Sequence, residues 1–197
     1  MIFDEKSAKI VYGIGLSAFC RYISGFCRKG LFMFEKGDHI VYGNNGVCVV
    51  EEITRMQMKG IDCDKLYYRL SSVTNPGSKY FSPVDNDKVV MRKTMTKDEA
   101  EELIKGLPAL SPLPVPEDKF REELYKDIIR SCDPEKSFRI ILTLYRKKME
   151  RYAQGKKNTS IDERYFKQIE NNLYSELAFA LGRDRDEIND YIKETIG

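Results

Sequence analysis

The chain has 197 residues, 42% hydrophobic and 32% charged, so it can build a core and is not a disordered tail. Its 33 Lys+Arg against 31 Asp+Glu leave a net charge of +2, which excludes a globally basic nucleic-acid coat protein but permits a local basic face. With one histidine, His39, a multi-His metal site or His-based catalysis is not expected, and the chain has no tryptophan.

Residues 1–32 differ from everything that follows. Ile10 to Cys27 is apolar behind Lys6 and Lys9, the outline of a signal peptide, yet Arg21 interrupts the run and no convincing small-x-small cleavage site follows. A leader and a membrane tether are two readings of it. A third is translated upstream sequence: Arg28-Lys29-Gly30 can be encoded by a purine-rich run like a bacterial ribosome-binding site, two codons before Met33. We take Met33 as the expected natural start. Cys20, Cys27, Cys48, Cys63 and Cys132 are scattered, odd in number and form no C-x-x-C pair, so free, mostly buried thiols in a reducing cytoplasm are expected.

Residues 33–92 read as β. His39 to Tyr42 runs into Gly43-Asn-Asn-Gly46, a composition that tolerates positive φ. Val47 to Ile53 is β-branched and mostly apolar, and Leu66 to Leu70, Lys79 to Phe81 and Lys88 to Met91 supply further strands. Turns at Lys59-Gly60 and Asn75-Pro-Gly77 separate them. This spacing predicts a small SH3- or Tudor-like barrel.

Residues 93–116 hold a short helix and a linker. Thr96-x-x-Glu99 is a capping box that opens the helix, which ends near Lys105-Gly106. The prolines at 108, 112, 114 and 116 then make an extended, semi-rigid segment and a domain boundary.

Residues 117–197 read as a compact all-α bundle, giving an α+β chain of two domains. Phe120, Leu124, Ile128 and Ile129 form one apolar stripe. Asp133-Pro134 starts a helix with Phe138, Ile141, Leu142, Tyr145, Met149 and Tyr152 on one face, ended by Gly155. Ser160-x-x-Glu163 reads as a second capping box, opening a helix through Phe166, Ile169, Leu173 and Leu177 to Gly182. A last helix covers about 186–196. Tyr145, Tyr152, Tyr165 and Phe166 recur at helical spacing and are expected in the core.

The chain lacks a P-loop, a G-x-G-x-x-G and a nucleophile elbow, so no catalytic residue, metal ligand, cofactor or small-molecule substrate is expected. Charge is more informative. Between Lys136 and Lys167 stand ten basic residues and three acids. Arg146, Lys147, Lys148, Arg151, Lys156, Lys157, Arg164 and Lys167 are the candidates for sequence-independent contact with DNA phosphates, aided by the amides of the helix that starts at Ser160. A merely solvated basic face is the competing reading. On the β half, Arg55-Met56-Gln57-Met58-Lys59 beside a turn and Lys79-Tyr80-Phe81 on an edge strand are candidates for pairing with another protein's sheet. A hairpin whose methionines pack internally is the alternative.

Phe34-Glu-Lys-Gly-Asp-His-Ile-Val-Tyr42, Gly46-Val-x-Val-Val50, Lys59-Gly60 and Ser82-Pro-Val-Asp85 resemble the N-terminal module of CarD-like bacterial transcription regulators, shared with the transcription-repair coupling factor. Ile141 to Tyr145, Gly155-Lys-Lys157, Asp162 to Tyr165 and Leu173 to Gly182 resemble the helical half of those regulators. The resemblance implies a cytoplasmic, nucleoid-associated, non-enzymatic protein that does not bind membranes. Its barrel would dock on the β subunit of RNA polymerase through Arg55–Lys59 and Lys79–Phe81. Its bundle would touch double-stranded promoter DNA through the basic face, centred on Arg146, Lys147, Arg151, Lys156, Lys157 and Arg164, and stabilise the open complex. Many relatives carry a Trp wedge near the start of the helical domain; here Val115 or Phe120 takes that place, or the step is missing. The alternative from another class is a protein–protein adaptor of polymerase or repair machinery that does not bind DNA.

Overall fold

A computed structural model describes residues 34–55, 65–116 and 120–196. The readings made for residues 1–32, for Cys20, Cys27 and Cys63, and for Met56, Gln57, Met58 and Lys59 lie outside the described residues. Phe34 to Gly197 cluster as one compact unit.

Five antiparallel strands, β1 (His39–Tyr42), β2 (Val47–Arg55), β3 (Leu66–Ser72), β4 (Lys79–Pro83) and β5 (Met91–Lys93), are ordered β4-β3-β2-β1-β5. The turn between β1 and β2 needs glycine. Gly43 has φ +49°, and a Cβ there would lie 2.6 Å from Val89 Cγ1. A bulge at Glu51 shifts the register, so that Val50 faces Leu70 while Glu52 faces Arg69. Phe34, Ile40, Cys48, Val50, Tyr68, Leu70 and Met91 form a core on one side of the curled sheet.

The expected barrel is not closed. Among the described residues β4 pairs only with β3 and β5 only with β1. β5 has only three residues, and the side of β1 away from the sheet core is covered by helices. Ile40 enters the sheet core, whereas neighbouring Val41 faces the cavity lined by Ile128, Cys132, Pro134 and Leu173. Burial on both faces explains the uninterrupted apolar run of β1. The last strand also lies later than expected. Lys88 to Val90 form a turn because the Asn86 side chain accepts from the amides of Lys88 and Val89 and donates to Val89 O at 2.7 Å.

The helices are α1 (Lys97–Gly106), α2 (Arg121–Ser131), α3 (Pro134–Ala153), α4 (Ser160–Leu181) and α5 (Ile188–Ile196). The Thr96–Glu99 capping box and the Asp133–Pro134 start are both present. α4 begins one residue earlier than the capping-box pattern gave: its N-cap is Thr159, which accepts from the Asp162 amide at 3.3 Å. The proline segment lies along α3. Arg139 Nε donates to Ser111 O at 2.9 Å, Thr143 Oγ1 donates to Leu113 O at 2.7 Å, and Leu110, Leu113 and Val115 pack on the helical core. Among the described residues, no helix is long and apolar enough to cross a membrane.

One cluster ties sheet to helices. Arg92 on β5 donates from Nη1 and Nη2 to the Glu176 carboxylate on α4 at 2.5 and 2.6 Å, and from Nε to Cys132 O at 2.8 Å. The Met95 amide donates to Glu176 Oε1 at 3.1 Å. Beside it, His39 stacks on Phe179 with ring centroids 4.5 Å apart. Burial pushes the free thiols of Cys48 and Cys132 up to about 11, so both are thiolate-poor packing residues. The Glu176 side chain is 4% exposed, so removing its partner strands a buried charge. Arg92→Ala is expected to lower unfolding free energy by about 3–5 kcal/mol, measured by urea denaturation. A loss under about 1 kcal/mol would show that the pair does not hold the sheet to the helices.

Candidate functional site

The eight predicted basic residues all lie on α3, α4 and the loop joining them, but their charges are not equally available. Lys147 Nζ lies 3.6 Å from Asp162, Lys148 3.9 Å and Lys167 3.7 Å from Glu163, and Arg164 3.2 Å from Glu122. The Asn158 amide and then Lys148 hold the Glu163 carboxyl below its ordinary range, and the Tyr165 hydroxyl and Lys126 do the same for Glu122. These acids therefore stay ionised and neutralise much of the face at neutral pH. Arg146, Arg151, Lys156 and Lys157 have no carboxylate partner among the described residues.

The loop is fixed by its backbone. Gly155 has φ +69°, its amide donates to Tyr152 O at 2.9 Å, and the Lys156 amide donates to Arg151 O at 2.9 Å, a Schellman end to α3. Arg151 Nε returns to Lys157 O at 2.9 Å. Lys156 and Lys157 are thus held against the end of α3 on a defined turn.

Beneath this face lies a group that sequence reasoning missed. Asp162 is 1% exposed and receives the Tyr125 hydroxyl at 3.0 Å, with Arg121 Nε 3.7 Å away on α2 and Lys147 on α3. Burial and then the Asp162 charge push the Tyr125 hydroxyl up. Asp162 thereby joins three helices from the first turn of α4, where a negative charge is favoured. The only sequence signal was an acid in the first turn after a capping Thr.

The aromatic expectation needs a correction. Tyr165 is buried and Phe166 packs on the core, but Tyr145 and Tyr152 are 54% and 51% exposed. α3 carries its apolar stripe past the elements that cover Phe138 and Ile141. Phe120, at the N-cap of α2, is 61% exposed, whereas Val115 packs against the helical core and is not free to act as a wedge.

On the sheet, Lys79 and Phe81 point outward from edge strand β4, while Tyr80 turns inward against the sheet core. Phe81 lies opposite Arg69, which holds Glu51 at 2.7 Å and Glu52 at 2.6 Å. This ion cluster flanking an exposed ring was also missed, because the β2 bulge that gathers both glutamates is not a sequence motif. Arg55 is exposed at the end of β2, opposite Leu66, roughly 10 Å along β3 from the Phe81 row.

Two substitutions separate the buried and exposed charges. Asp162→Ala should cost about 1–3 kcal/mol of stability, since it removes the acceptor of the buried Tyr125 hydroxyl and the charge that joins three helices. Arg164→Ala should leave the unfolding midpoint nearly unchanged, because its pair with Glu122 is exposed. Thermal denaturation of both checks the contrast.

Residues 34–95 match the family model described as the CarD-like/TRCF RID domain. No curated protein matches the chain.

Proposed function

We propose that this protein, whose residues 34–95 are a CarD-like/TRCF RNA polymerase-interacting domain, is a non-enzymatic transcription regulator that links polymerase to promoter DNA. The sheet binds the polymerase β subunit through the β4 edge, with Phe81 as its apolar anchor and Lys79, Arg69 and Arg55 around it. The helical half, residues 117–197, acts as a second, DNA-binding domain through Arg146, Arg151, Lys156 and Lys157. Lys147 and Lys148 serve mainly to hold α3 to α4, Arg164 holds α4 to α2, and Lys167 pairs with Glu163 along α4. Affinity that is greater for the open promoter than for the closed one shifts the equilibrium toward open; equal affinity would shift nothing.

The observation that carries the DNA reading is the separation of charges on the basic face. Four cations lack carboxylate partners among the described residues, and two of them are fixed on a capped turn at the end of α3. Cations held this way pair with phosphate without a rearrangement of the protein. The near-neutral chain implies weak binding to free DNA, strengthened when polymerase holds the protein beside the promoter.

Replacing Lys156 and Lys157 together by Ala should weaken duplex binding at low salt. It should also make the slope of log affinity against log salt shallower by about two. Phe81→Ala should weaken polymerase binding about tenfold and leave the DNA slope unchanged. DNA binding that is unaffected by the double lysine replacement would favour the adaptor reading.

A further inference from the structure

The exposed stripe on α3 is not explained by phosphate contact. Tyr145, Met149 and Tyr152 are 54%, 49% and 51% exposed, one above another at i, i+4 and i+7 of a single helix. Three large apolar side chains in one exposed row mark a binding surface. Their surroundings indicate what binds. Residues 145–152 contain Arg146, Lys147, Lys148 and Arg151 against one acid, Glu150. Lys156 and Lys157 stand at the end of the row. The carbonyls of Glu150, Arg151 and Tyr152 are taken up by the cap, so these three acceptors do not face a phosphate bare.

Resting on the reading that this face meets DNA, we infer that Tyr145, Met149 and Tyr152 form a stacking platform for unpaired bases of single-stranded DNA. The flanking Arg146, Lys156 and Lys157 follow its backbone. Aromatic faces beside cations are the general solution for single strands, and each stacked base adds binding without base-edge readout. The spacing favours splayed bases over a duplex. Along the helix the side chains rise about 6 Å and then about 4.5 Å, wider than the roughly 3.4 Å step of stacked bases. Lys148 Nζ lies 5.8 Å from the Tyr152 ring centroid, which braces that ring before a base arrives. Met149 is a polarisable spacer between the two rings.

Fluorescence anisotropy with the full chain tests this, using labelled oligodeoxythymidylate and a mixed-sequence duplex of equal length. Wild type should prefer the single strand. Tyr145→Ala/Tyr152→Ala should weaken single-strand binding roughly ten- to hundredfold and change duplex binding little. Tyr145→Phe/Tyr152→Phe, which keeps both rings, should bind the single strand like wild type. Duplex binding with a single-strand affinity that the double Ala variant does not change would overturn the platform and leave the duplex reading standing. Binding to neither probe would overturn both. Single-strand binding unchanged by the double Ala variant, with a wild-type dimer in sedimentation that the same variant dissociates, would assign the stripe to a second copy of this chain and overturn the inference.

Discussion

The Arg92–Glu176 pair is the contact on which the arrangement of the two surfaces depends. Arg92 belongs to the polymerase-interacting segment and Glu176 to the middle of α4, 84 residues later. The same arginine takes the Cys132 carbonyl at the end of α2, and the same glutamate takes the Met95 amide just before α1. One bidentate pair therefore fixes the strand that closes the sheet's order against the helix that carries Arg164 and Lys167 and packs on the helix bearing most of the basic face. A pair with this geometry specifies orientation more than it adds stability, since apolar packing alone would let the layers slide. The His39–Phe179 stack and the Gln168–Asn44 hydrogen bond at 2.7 Å extend the same seam. Under the proposed function, in which the sheet meets polymerase and the helices meet DNA, this seam sets one surface relative to the other.

Charge on the helical half is organised in two layers. Asp162, Glu163 and Glu122 draw Lys147, Lys148 and Arg164 into contacts that join α2, α3 and α4, and Glu163 also takes Lys167 along α4. What stays available lies at the end of α3, beside its exposed aromatic stripe. A count of basic residues along the chain overstates the field of this face, because it does not record which cations are already paired.

Much of the fold was legible in the sequence where the determinants are local. β1, β2 and β3, the Thr96 box, the Asp133–Pro134 start and the glycines at 155 and 182 are each specified by neighbours within a few residues. Harder features depended on distant partners. The burial of Asp162 follows from Tyr125, 37 positions earlier, and the role of Arg92 follows from Glu176. Periodicity placed Tyr145 and Tyr152 on one face of α3 but could not tell that both stay half exposed while Leu144 beside them is buried. β5 was displaced because one side chain, Asn86, satisfied the amides that a strand would otherwise have used. Strand number and spacing matched a barrel, yet closure depends on whether the two edges meet.

The most direct measurement is the lifetime of the open promoter complex on a ribosomal-type promoter, formed by the cognate polymerase with and without this protein. A clearly longer lifetime is expected with the wild type, returning to the polymerase-alone value with either Phe81→Ala or the Lys156→Ala/Lys157→Ala pair. An unchanged lifetime at protein concentrations that saturate the polymerase would contradict the link between the two surfaces.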